Sequence, residues 1–159
     1  MKLLAGFMLL ALLPLSGQAP QGLQLKFGTW KLNLQKSKFP PETSPPQSDT
    51  RIYEDGGVAI IRSTHTTVNH QGEESLTTYS AKFDGKEYPV VTRGSNAPAS
   101  IAFHIIDPYS ESFVLTRDGK VATRGTTTIS KDGKTLTMTL NTINAKGQTS
   151  QGISIYDKQ

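Results

Sequence analysis

The chain has 159 residues, no cysteine and a formal net charge of +4. That length suits one domain with a real hydrophobic core. Without cysteine there can be no disulfide and no lipid anchor on an N-terminal cysteine. The positive charge is scattered, densest over Lys26, Lys31, Lys36, Lys38 and Arg51, and lacks the basic face with aromatic platforms that a nucleic-acid binder needs.

Met1-Lys2 is a short positive end, residues 3–13 are almost wholly apolar, and Pro14-Leu15-Ser16-Gly17-Gln18-Ala19 is small and polar. This pattern predicts a secretory signal peptide over residues 1–19, with Gly17 and Ala19 meeting the small-residue rule for cleavage. The apolar run is too short to span a bilayer. The mature domain, residues 20–159, is therefore expected to be exported, periplasmic or extracellular, without stable membrane insertion.

Residues 27–34 alternate, with Trp30, Leu32 and Leu34 on one face and Thr29, Lys31 and Asn33 on the other, as in a half-buried strand. Residues 35–49 contain Pro40-Pro41 and Pro45-Pro46, which exclude a helix or a central strand and predict a long loop, whether a lid, an Ω-loop or a disordered segment. Strands are expected again at residues 50–54, 58–68 and 73–83. Residues 87–91 form a short one, with Pro89 marking an edge or bulge. Residues 93–99 are a second loop, and strands at 101–106, 113–116, 121–130, 135–143 and 152–156 complete about ten.

Glycine-containing turns such as Asp84-Gly85-Lys86, Asp118-Gly119-Lys120 and Asp132-Gly133-Lys134 punctuate these strands, most neighbours lying about 14 residues apart. That is the rhythm of an antiparallel meander, which closes into a barrel or folds into a sandwich. Parity assigns the inward faces: Val58, Ile60, Arg62, Thr64 and Val68 on one strand; Tyr79, Ala81 and Phe83 on the next; then Phe113, Leu115 and Arg117, and Leu136, Met138 and Leu140. The strand from Ile101 is apolar on both faces and is expected to be buried on both. Threonine dilutes these inward sets, which favours a barrel with a cavity over a dry sandwich.

Gly28-Thr29-Trp30-Lys31-Leu32 at the start and Ile155-Tyr156-Asp157-Lys158 at the end resemble the opening and closing strands of the calycin barrels, the lipocalins and fatty-acid-binding proteins. The wider pattern, with Tyr79-Ser80-Ala81-Lys82-Phe83-Asp84-Gly85-Lys86 and Ser130-Lys131-Asp132-Gly133-Lys134, is similar to exported bacterial lipocalin-like proteins of unassigned activity. The resemblance implies an all-β fold, a single antiparallel meander of about ten strands closed into a lipocalin-like or fatty-acid-binding-protein-like barrel. Two features depart from it. The prolines exclude the helix-turn-helix lid of the fatty-acid-binding type, and the Arg-x-Tyr pair of its last strand is here Ser154 and Tyr156.

The expected activity is binding of a small, largely apolar molecule, not catalysis. Trp30, Tyr79, Phe83, Phe103 and Phe113 would line the interior, with Tyr156 on the last strand. Arg62 or Arg117 would meet an anionic group, and residues 35–49 would cover the mouth. Each assignment has an alternative: Trp30 as plain core, and the arginines as rim or snorkelled side chains. No cofactor or metal site is expected. His65, His70 and His104 lack ligand spacing, His65 lies on the expected outer face, and no Gly-x-Ser-x-Gly elbow occurs. A filled barrel acting as an envelope interaction module and a cyclase- or isomerase-type enzyme remain open as rival readings.

Overall fold

Short polar side chains start the turns of this chain, and the turns fix its strands. Asn69 Oδ1 accepts from the backbone N–H of Gln71 and Glu73, and Asn144 Oδ1 does the same for Lys146 and Gln148. Such Asx turns reverse the chain with no long-range help. Gly85 shows why glycine is required there: its φ is +77°, and a Cβ would overlap the His104 ring above it.

The computed structural model describes residues 22–144 and 146–159, so the signal peptide expected over residues 1–19 lies outside the described residues. A 3₁₀ turn, Leu23–Lys26, leads into ten strands: β1 (Gly28–Leu32), β2 (Ser48–Asp55), β3 (Ile60–Val68), β4 (Glu74–Lys82), β5 (Tyr88–Thr92), β6 (Ala99–Asp107), β7 (Ser110–Arg117), β8 (Lys120–Ile129), β9 (Thr135–Ile143) and β10 (Thr149–Lys158). Each pairs antiparallel with the next, and β10 returns to β1, so the sheet is a closed barrel, as the meander rhythm predicts. β5 is the thinnest part of the wall, pairing over three residues with each neighbour. Pro89, which has no N–H to give, sits there.

The alternation of strand direction sorts the connections to two ends. The 3₁₀ turn and the β2–β3, β4–β5, β6–β7 and β8–β9 turns share one end. The other end carries the β1–β2 connection and the β5–β6 loop, the two breaks in the turn rhythm.

The first end is sealed. Trp30 is fully buried, and its indole Nε1 donates to the Lys26 carbonyl at 2.7 Å. Lys26 turns its ammonium inward to form an ion pair with Glu111, both groups essentially without solvent contact. The Lys26 ammonium also lies 4.5 Å from the Tyr53 ring centre and 5.3 Å from that of Phe103, a cation–π arrangement. Leu23, Tyr53, Phe103, Ile129, Leu136 and Tyr156 complete the core around it. Each such side chain contributes about 1.5–3 kcal/mol by leaving water.

Several expected faces are corrected. On β3 the inward residues are Ile61, Ser63, His65 and Thr67, so Arg62 points outward and His65 inward, the reverse of the expected parity. Val58, counted as inward, is 79 % exposed in the β2–β3 turn, and Ile61 alone anchors the true face. β6 is not buried on both faces along its length: Ala102 is covered outside, but His104 and Ile106 are exposed. On β10, Ser154 and Tyr156 face inward.

Residues 35–49 contribute nothing to the cavity lining, and the stretch begins as part of the barrel wall. The Asn33 N–H donates to the Ile155 carbonyl at 2.8 Å, and Lys38 exchanges two backbone hydrogen bonds with Ile153 at 2.7 and 2.8 Å. Its first residues, up to Lys38, thus extend the wall beside β10 where the short β1 stops. Lys26 and Arg51, counted among scattered surface charge, are both buried against partners inside.

Removing one member of a buried ion pair leaves the other uncompensated and costs about 3–5 kcal/mol, whereas an apolar pair of similar volume is often neutral. Lys26→Met or Glu111→Gln alone should therefore lower the urea midpoint strongly, and Lys26→Met with Glu111→Leu should restore most of it. Single variants as stable as the parent chain would show that the pair does not hold the floor.

Candidate ligand-binding cavity

Above the sealed floor the barrel encloses a cavity of about 320 Å³, at the lower end of the ~300–1,000 Å³ usual for small-molecule sites. Its lining is two-sided. Val90, Ile101, Phe103, Phe113, Leu115, Met138 and Leu140 make an apolar wall on β5 to β9, and Arg51, His65, Thr67, Ser75 and Thr77 make a polar one on β2 to β4. Phe113 can lie against the wall because its neighbour across the β7–β8 pair is Gly125, where a Cβ would overlap the ring.

Strand alternation places Asp49, Arg51 and Tyr53 together on the inner face of β2. The β2–β3 register sets Arg51 opposite His65 and Asp49 opposite Thr67. Arg51 Nε donates to the Tyr156 hydroxyl at 2.9 Å and lies 3.5 Å from Asp49 Oδ1. The guanidinium also stands over the Tyr156 ring, 5.2 Å from its centre. Asp49 Oδ2 lies 2.7 Å from His65 Nε2, and Thr67 Oγ1 is 2.8 Å from that same nitrogen.

These neighbours set the protonation states. Burial alone would raise the Asp49 carboxyl, but the Arg51 charge and the His65 hydrogen bond outweigh it and hold its pKa below the usual value. Burial and the Arg51 charge push His65 down against the opposing pull of Asp49. His65 is therefore neutral at pH 7, and because ionised Asp49 can only accept, Nε2 carries the hydrogen and donates it. Burial opposes the Arg51 charge, yet Tyr156 and Asp49 raise its pKa well above the ordinary value, so it stays a cation. Burial raises Tyr156, which stays a neutral phenol. Among the described residues only Nε of Arg51 is engaged by a hydrogen bond. Its terminal nitrogens are left for whatever enters the cavity, since a guanidinium carries five N–H donors.

Of the residues expected at a site, Tyr79, Phe103, Phe113 and Arg117 line the cavity, Arg117 as an exposed rim residue. Trp30 lies in the floor core, outside the lining. Phe83 packs behind Phe103 with ring centres 5.6 Å apart. Tyr156 stands behind Arg51 and orients it. Arg62 lies on the outer face, in an open groove of about 360 Å³ with Glu54, Thr64, Thr78, Pro89 and Val91. It cannot meet a ligand inside.

Arg51, Asp49, His65, Lys26 and Glu111 were not anticipated. The signal for Arg51 was present: Arg51-Ile52-Tyr53 is an Arg-x-Tyr, carried on β2 instead of the last strand, and Arg51 reaches Tyr156 across β1. Among the described residues no group of His, Asp and Glu is placed to hold a metal ion.

No family model and no curated protein matches the chain. Among solved structures it is similar to a crystal structure of a point mutant of the fluorescent protein UnaG, with a TM-score of 0.58, 16% identity, and coverage of 86% of this chain and 98% of that one. At that identity the likeness concerns the fold, a calycin-like barrel.

The depressed pKa of His65 ties stability to pH. The unfolded imidazole titrates near about 6.5 and the folded one lower, so the unfolded state binds more protons between the two values and stability falls as pH drops through that window. Asp49 adds a further loss of the same sign below about pH 4. Urea midpoints measured from pH 7.5 down to 5 should fall, and His65→Gln should flatten that slope. An equal slope in the variant would place the titration elsewhere.

Proposed function

We propose that the barrel binds one small, largely apolar molecule that carries an anionic or strongly accepting group, and that it does so non-covalently, as a carrier or receptor and not as an enzyme. Arg51 carries this reading. It is a largely buried cation held from behind by Tyr156 and Asp49, with its terminal N–H groups free, beside an apolar wall. A charge-assisted hydrogen bond in a largely enclosed site is among the stronger orienting contacts available to a ligand. The calycin-like fold supports the reading, since barrels of this size enclose single small ligands. The cavity itself speaks against a filled barrel serving only as an interaction module.

We further propose that the protein works outside the cytoplasm, periplasmic or extracellular. The support is the signal-like pattern of residues 1–19. The His65–Asp49 pair is the one observation that favours an enzyme. Against it, His65 Nε2 is shared between Asp49 and Thr67, so the pair serves to hold the wall of the Arg51 site.

Titration of the purified mature chain with 8-anilinonaphthalene-1-sulfonate and a panel of fatty acids should give saturable binding. Hydrogen bonds to charged groups contribute about 1.5–3 kcal/mol, roughly a ten- to hundredfold change in affinity. Arg51→Met combined with Asp49→Asn, which leaves no lone buried charge, should weaken anionic probes by that factor. Arg62→Met, on the outer face, should leave them unchanged. Absence of any saturable signal would overturn the proposal.

A further inference from the structure

We infer that the ligand is a compact, flat aromatic monoanion, of two or three fused rings with one carboxylate, and not a long-chain acid. The inference rests on the binding function proposed above and adds the chemical class. Three observations carry it.

First, the cavity is short. Its lower end is stopped by Lys26, whose ammonium is held by Glu111, and Trp30 lies in the core beneath. An extended alkyl tail entering from the mouth would meet a sealed ion pair in a cavity of about 320 Å³.

Second, the lower wall is an aromatic shelf. The Phe103 ring centre lies 5.7 Å from that of Tyr79 with the planes at 38°, and 6.1 Å from that of Phe113 with the planes at 50°. Tilted rings at these separations offer both edges and faces, the geometry in which a further aromatic ring packs best. Tyr53, also in the lining, joins the shelf to the strand that carries Arg51. A planar body on the shelf can put its carboxylate on the free Arg51 nitrogens.

Third, the upper wall is hydroxylated. Thr67, Ser75, Thr77, Thr123 and Thr142 ring the part of the cavity nearer the mouth. A long alkyl chain passing there would strip water from these hydroxyls and meet only Leu115 and Leu140 in return. A short ligand seated below leaves them hydrated. The charge balance fits a single anionic group: Lys26 is matched by Glu111 and Arg51 by Asp49, His65 is neutral, and Arg117 at the rim is the remaining cation of the lining.

The test is a calorimetric comparison on the mature chain of naphthalene-1-carboxylate, anthracene-9-carboxylate, naphthalene-1-methanol, laurate and palmitate. The fused-ring acids should bind at least about tenfold tighter than palmitate, and the neutral alcohol about tenfold weaker than its carboxylate, as expected for ring packing plus one charge-assisted contact. Phe103→Leu should weaken the aromatic acids several-fold while leaving laurate unchanged. Palmitate binding as tightly as the fused-ring acids would overturn this inference and leave the proposed binding function standing. If none of the acids binds, that function fails and the inference falls with it.

Discussion

The ion pair between Lys26 and Glu111 gives this barrel a top and a bottom. A closed antiparallel sheet has two equivalent open ends until something fills one of them. Here the segment before β1 folds under the barrel and inserts a lysine ammonium among Tyr53, Phe83 and Phe103. The desolvation of the ammonium is offset because Glu111 supplies the counter-charge and the rings supply their negative faces. Trp30 then caps the lysine backbone, and Lys158 at the end of β10 donates to the Leu25 carbonyl at 2.7 Å. Both ends of the described chain meet at the sealed floor, which leaves the mouth to the irregular connections.

With one end shut, the interior divides by depth. Large side chains fill the bottom with Thr127 among them, Arg51, His65 and Thr77 stand level on the wall above, and Thr67 and Ser75 lie nearer the mouth. A threonine near the mouth keeps its hydration, whereas a charged group deeper in must bring a protein partner. Lys26 and Arg51 each have one, and Arg117 at the rim needs none.

The turns made the barrel legible in sequence. Asx side chains and glycines act over four or five residues, so ten strands and their order could be read locally, with boundaries off by up to three residues, as at the starts of β7 and β10. The site was legible only on its apolar side. Tyr79, Phe103 and Phe113 follow hydrophobic parity, but the polar wall is made of inward residues that parity assigns to solvent. β3 is the clear case: one apolar residue, Ile61, fixes the face, and Ser63, His65 and Thr67 follow it inside. Lys26 and Arg51 look like surface charge because their partners, Glu111 and Tyr156, lie 85 and 105 residues away. No local pattern carries that information.

Arg51 joins the site to the closure of the barrel. β1 is five residues long and pairs with β10 over three of them, so the seam between the first and last strands is short. Arg51 on β2 reaches past β1 to Tyr156 on β10, adding a hydrogen bond and a cation–π contact across that seam. The stretch beyond β1 adds the backbone bonds of Asn33 and Lys38 to the same strand. In a chain without disulfides these cross-seam contacts, together with the floor ion pair, do the work of staples. A ligand seated on the free side of Arg51 would fix the side chain in the pose that also closes the wall. Occupancy and barrel closure would then favour one another, because a ligand that binds only the folded state raises stability with its concentration.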